Sequence, residues 1–126
     1  MSVAYVDTSS LVAIAFAEPG YGGVADRLNS YSQLLSSNLL EAEMRAAFAR
    51  ENREFDRRRL IGLRWIIPDR PLSPEFSRVL DIGYVRGADL WHLATALHVA
   101  RAPEEMAFIT LDDRQQILAG RLGFDT

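Results

Sequence analysis

The sequence predicts an α/β domain: a central parallel sheet of four or five short strands, covered by helices on both faces in three layers. Three observations carry this prediction. Short apolar runs alternate with helical patterns from end to end of the 126 residues, the order produced when each strand is followed by a crossover helix. The length suits one domain, residues 1–126, with one core. Two acids, Asp7 and Asp112, stand just past apolar runs, at the carboxyl ends of expected strands, where parallel sheets gather their ligands.

The elements follow in order. Residues 2–6 read as a buried strand that ends at Asp7. Residues 9–17 form a helix, capped by Thr8 or Ser9 and stopped by Glu18-Pro19-Gly20. Residues 22–29 are a short helical piece, and residues 33–36 a short strand. Asn38 caps a helix running to about Asn52, in which Leu39, Leu40, Met44, Ala47 and Phe48 recur at helical spacing. Residues 55–63 are a further helical segment carrying Arg57, Arg58 and Arg59, and residues 65–68 a strand. A helix starts at Ser73 or Pro74 and runs to about Gly83. Gly87 interrupts the chain before a well-patterned helix over 88–101. Residues 106–111 form a strand, 113–120 a helix, and 122–124 a last strand.

Composition narrows the chemistry. Hydrophobic residues at 48% and charged residues at 25% are ordinary for a packed domain and argue against disorder. With no cysteine, disulfides and thiolate metal sites are excluded. His92 and His98 alone are thin ligation for zinc, so carboxylate ligands point instead to Mg²⁺ or Mn²⁺. The apolar run at the N-terminus has no basic residues before it and is broken by Asp7, unlike a signal peptide. No apolar stretch approaches a membrane span, and a cytoplasmic protein is expected. The formal charge is −3. Setting the four acids discussed below aside leaves the remainder slightly positive. All 14 basic residues are arginine, which can hold phosphate through two hydrogen bonds at once. Glycine-rich phosphate loops and the G-x-S-x-G elbow are absent from the sequence.

Four acids are placed as a site would need them. Asp7 has the alternative of a helix N-cap, but Thr8 and Ser9 already serve that purpose. Glu43 shares a helix side with Leu39, Leu40 and Ala47, whereas Glu41 pairs with Arg45 four residues on, an ordinary surface pair. A helix-surface acid is the alternative for Glu43. Asp89 opens the mostly apolar helix after Gly87, where the helix dipole stabilises an acid and lowers its pKa. Of Asp112 and Asp113, one caps the last helix, and Asp112 lies nearer the strand end. Buried carboxylates need neutralising, and a divalent cation would do so. His92 reads as a structural histidine beside Trp91, Trp91 as core, His98 as peripheral, and the Arg57–Arg59 run as a solvated helix face.

YVDTSSLVAI, SSNLLEAEMRAAF, RGADLWHLATAL and FITLDDRQ, in this order, resemble a PIN domain and, more narrowly, the VapC-type toxins of bacterial and archaeal toxin–antitoxin pairs. The resemblance spans essentially the whole chain, and the D-x-x-H-L-A-T-A stretch is its most telling part. It implies a PIN-like three-layer α/β/α fold and a Mg²⁺- or Mn²⁺-dependent endoribonuclease. It implies Asp7, Glu43, Asp89 and Asp112 as catalytic and metal-holding acids, with Ser9 and Thr110 at supporting hydroxyl positions. Asp113 would replace Asp112 after a shift of one residue. It further implies RNA as substrate, a homodimer, and a cognate VapB-type antitoxin. A PIN-like module that binds RNA or protein without cutting it is the alternative.

Overall fold

Strand residues alternate between the two faces of a sheet, and here both faces are covered. The computed structural model describes residues 2–126. Its strands are β1 (Val3–Val6), β2 (Gln33–Ser37), β3 (Leu63–Ile66) and β4 (Ala107–Ile109). They form one sheet in the order β3-β2-β1-β4, and every pair is parallel. The helices are α1 (Thr8–Ala15), α2 (Tyr21–Asn29), α3 (Leu39–Arg50), α4 (Ser73–Ile82), α5 (Gly87–Val99) and α6 (Asp113–Leu122). The expected three-layer α/β/α architecture is thus observed, with four strands. No helix among the described residues is long and apolar enough to cross a membrane.

Tyr5 and Phe108 point to one face, where they pack with Leu93, Ala96 and Leu97 of α5 and Leu118, Ala119 and Leu122 of α6. Ala4, Val6, Ala107 and Ile109 point to the other and pack with Leu28 of α2 and Leu11 and Ile14 of α1. A third cluster joins α1 to α3 through Ala15, Leu40, Met44 and Phe48. Continuous apolar runs in β1 and β4 are what a sheet buried on both faces requires.

The chain steps from β1 to β2 and β3 in one direction, then returns to place β4 on the other side of β1. The order therefore reverses between β1 and β4. The crevice at their carboxyl ends is the topological switch point, the usual ligand position in an open parallel sheet. Asp7 follows β1 there, and its N–H extends the ladder to Ile109 O at 3.1 Å.

Several boundaries differ from expectation for local reasons. The helix expected over 55–63 is only a 3₁₀ turn, Arg57–Leu60. Asp56 caps it by accepting the Arg58 N–H, and Gly62 at φ +93 turns the chain into β3. The strand therefore begins at Leu63 rather than Trp65. The expected run 106–111 narrows to Ala107–Ile109, because side chains take the next N–H groups: Leu111 N donates to Ser9 Oγ and Asp112 N to Thr110 Oγ1. The last expected strand, 122–124, is a single parallel bridge between Ala107 and Asp125. Leu122 ends α6 instead, and Gly123 at φ +106 reverses the chain.

Candidate active site

Asp7 occupies the N-cap position of α1, yet its side chain makes no cap hydrogen bond. It turns inward. Ser9 Oγ donates to its Oδ1 at 2.7 Å, and Thr110 Oγ1 donates to its Oδ2 at 2.7 Å. These hydroxyls are fixed in turn by the N–H groups of Leu111 and Asp112. Thr8 and Ser9, expected as caps, lie inside α1 and serve side chains instead. Asp7 is only 4% exposed. Burial pushes its pKa above the ordinary 3.8, while the Ser9 and Thr110 hydroxyls and the charge of His92 oppose the rise. Among the described residues, no arginine lies within 4.0 Å of Asp7, Glu43, Asp89 or Asp112 as an ion-pair partner.

Glu43 faces inward from α3, while Glu41 pairs with Arg45 at 2.7 Å on the surface. Glu43 Oε1 accepts from Thr8 Oγ1 at 2.6 Å and bonds His92 Nε2 at 2.9 Å. Burial alone would raise the Glu43 pKa, but the donors from His92 and Thr8 outweigh it and hold the carboxyl below its usual range. Its Oε2 has no protein hydrogen-bond partner among the described residues.

His92 is buried as expected, but its ring does more than pack beside Trp91. Its Nδ1 meets Tyr5 Oη at 2.8 Å. Tyr5 Oη also accepts the Ser37 N–H at 3.1 Å. Burial drives the Tyr5 phenol pKa far up, so the hydroxyl keeps its hydrogen. The Glu43 carboxylate only accepts, so His92 Nε2 carries the N–H that meets it. A wire of buried polar groups thus runs from the end of β2, through Tyr5 and His92, to Glu43. Tyr5→Phe removes one oxygen and leaves the Ser37 N–H and His92 Nδ1 unpaired. A loss of roughly 1–3 kcal/mol is expected, read as a lower urea midpoint with an unchanged slope. A midpoint equal to the parent's would show that the wire carries no stability.

Asp89 sits in the first turn of α5. Its pKa is raised, not lowered as expected at a helix start: burial raises it, and the charges of Asp112 and Glu43 raise it further against the opposing charges of His92 and Arg86. Asp112, rather than Asp113, caps α6, with Oδ1 accepting the Gln115 N–H at 2.8 Å. It lines a cavity of about 400 Å³ together with Asp89. Asp113 begins α6, exposed. Gln115, fully buried, donates from Nε2 to Asp89 O at 3.3 Å and so ties α6 to α5. Gln115 escapes a search for acids, but Asp112-Asp113-Arg114-Gln115 has the spacing of a capping box.

The fold therefore brings all four acids to the carboxyl end of the sheet. Asp89 and Asp112 share a cavity, Glu43 acts on Asp89 by charge, and His92 links Glu43 with Asp7. Their side chains do not close on one point: among the described residues, no group of three or more His, Asp or Glu is placed to hold a metal ion. The donor chemistry nonetheless fits a hard divalent cation. It offers oxygen only, carries repulsion between Asp89, Asp112 and Glu43, and lacks an arginine ion pair to relieve it.

Compared with known protein families, the chain matches the PIN domain over residues 4–121. No curated protein matches it significantly.

Proposed function

Because this chain belongs to the PIN domain family, whose members are generally nucleases, we propose that it is a Mg²⁺-dependent endoribonuclease, a single domain acting as the toxin of a VapBC-type pair. The observation that carries this reading is the arrangement of four acids without arginine partners at the switch point between β1 and β4. Mn²⁺ is the natural substitute for Mg²⁺ with the same donors.

Asp7, Asp89 and Asp112 would hold the cation, with Glu43 beside them. A divalent cation there supplies charge stabilisation at the scissile phosphate and a more acidic water. The chain's own contribution is placement. Ser9 and Thr110 keep both Asp7 oxygens aimed. His92 and Thr8 occupy Glu43 Oε1, leaving Oε2 to orient the attacking water or accept its proton. Water adds to phosphorus as the P–O3′ bond breaks, O3′ takes a proton, and the products carry a 3′-hydroxyl and a 5′-phosphate.

Purified protein is expected to cut RNA with Mg²⁺ or Mn²⁺ and to stop with chelator, and Asp89→Asn to cut far more slowly. Parental rates in Asp89→Asn would sink the proposal. A second reading, a binding module that does not cut, draws on the acids' failure to close around one point. Titration calorimetry with Mn²⁺ separates the two: the nuclease binds the ion and loses it in Asp89→Asn, whereas a silent module binds none. The toxin reading also includes a cognate VapB-type antitoxin, sought as a small neighbouring open reading frame, and a homodimer. Light scattering at high micromolar concentration should find two copies, and a monomer there would count against the dimer.

A further inference from the structure

The amino end of the sheet holds a second cavity, of about 330 Å³, within the range of small-ligand sites. The parallel register sets Val3 beside Gln33, Leu35 beside Arg64, and Ser37 beside Ile66, so alternate residues of three strands share one face. It is the face on which Leu35 packs with α5 in the main core. The helix ends at Val99, and the chain runs on through residues 100–102 to a 3₁₀ turn, Pro103–Glu105, along the rim of the cavity. Val3, Leu35, Ile66, Val99 and Met106 give the cavity an apolar lining. Leu35 and Met106 are buried, and Val3, Ile66 and Val99 are half-buried against the main core. Asp7 stands four residues after Val3, roughly 13 Å along an extended strand, so the cavity and the acids lie at opposite ends of β1.

The rim is charged. Arg64 on β3 and Arg101 just past α5 are both exposed and both line the cavity. Among the described residues, neither has a carboxylate within 4.0 Å. The arginine side chains that donate hydrogen bonds there are those of Arg45, Arg58, Arg70 and Arg114. The guanidinium groups of Arg64 and Arg101 thus keep all their donors for another partner. Glu105 is the one acid in the lining, which leaves two positive charges to one negative. Free guanidinium groups beside an apolar hollow suit a molecule with an apolar body and an anionic head. A carboxylate matches their fork of donors. No aromatic ring is among the described lining residues, so an RNA base would find nothing there to stack on. The unbranched Met106 side chain adjusts to apolar bodies of different shape.

We propose that this cavity binds a small amphipathic carboxylate, its alkyl chain lying against Leu35, Ile66 and Met106 and its head held by Arg64 and Arg101. The site stands apart from the four acids and does not rest on the nuclease reading.

The test is a titration of the ¹⁵N-labelled full chain with sodium octanoate below its micelle concentration, followed by amide ¹H–¹⁵N correlation spectra. Saturable shifts are expected at Val3, Leu35, Ile66, Arg101 and Met106. Butyrate, which lacks four methylenes, should bind at least about tenfold more weakly. Octyltrimethylammonium keeps the chain and reverses the charge, and should bind at least about tenfold more weakly as well. Arg64→Gln with Arg101→Gln should weaken octanoate about tenfold or more, as for the loss of charge-assisted hydrogen bonds. Both residues are exposed, so the remaining amide positions should match the parent's. Arg78→Gln with Arg121→Gln makes the same change in net charge at exposed positions outside the cavity, and should stay within about twofold of the parent. The proposal is overturned if octanoate causes no saturable shift, if its shifts centre on Asp7, Asp89 and Asp112, or if octyltrimethylammonium binds as well. Parental affinity in the Arg64 and Arg101 double variant, or an equal loss in the Arg78 and Arg121 pair, overturns it too.

Discussion

Replacing Asp7 by Asn is expected to slow metal-dependent RNA cleavage by about 100-fold or more, the scale of losing one preorganised electrostatic group, and to make the metal-free protein harder to unfold at neutral pH. The two effects run in opposite directions for one physical reason. Asp7 is buried, and burial holds its pKa above the ordinary 3.8. The folded state therefore favours the protonated acid, while the unfolded chain ionises near the ordinary value. The stabilising contribution of the protonated acid is complete below pH 3.8. It is lost as pH rises through the raised folded value. Asn carries no charge to lose and keeps an oxygen to accept one of the two hydroxyls. The gain of Asp7→Asn over the parent should thus be small near pH 4 and grow toward pH 7, read as urea midpoints with chelator present. Cleavage at the parental rate would remove Asp7 from the chemistry. A stability gain that shrinks as pH rises would show that burial is not what the carboxylate pays for at this site.

Much of this arrangement is legible in the sequence because it depends on local order. The apolar run before Asp7, the helical spacing around Glu43 and the glycine before Asp89 each mark an acid by its own element. The same signals fail where the decisive neighbour is remote. His92 bonds Tyr5 across 87 positions and Glu43 across 49. Helical periodicity says that His92 faces inward, but not which groups meet it there. Thr8 reads as a cap because a cap is the local use of a hydroxyl at a helix start, whereas its observed partner is Glu43 on another helix. The run 55–63 misleads for the converse reason. Its residues favour a helix, but Asp56 and Gly62, one at each end, permit only one short turn.

Phe108→Ala should cost about 3–5 kcal/mol, the usual range for emptying a buried phenylalanine site. That is a large fraction of the roughly 5–15 kcal/mol that holds a small domain folded. Phe108 is 1% exposed and sits on β4, a strand of three residues at the edge of the sheet. Its ring stacks on Tyr5 at 5.3 Å between centroids and leans on Phe124 at 5.8 Å. Truncation removes both contacts and opens a void between the sheet and α6, which two packed layers refill only in part. By contrast, Ile117→Ala on the outer side of α6, 53% exposed, should change stability by about 0.5 kcal/mol or less. Urea midpoints for the two variants check the ranking, and equal losses would refute it. The consequence extends to the chemistry. The Tyr5 ring that Phe108 supports carries the hydroxyl that fixes His92, and His92 fixes Glu43. In conditions where Phe108→Ala stays folded, its cleavage rate should still fall below that of Ile117→Ala. A rate equal to the parent's in folded Phe108→Ala would mean that Glu43 is held by Thr8 alone.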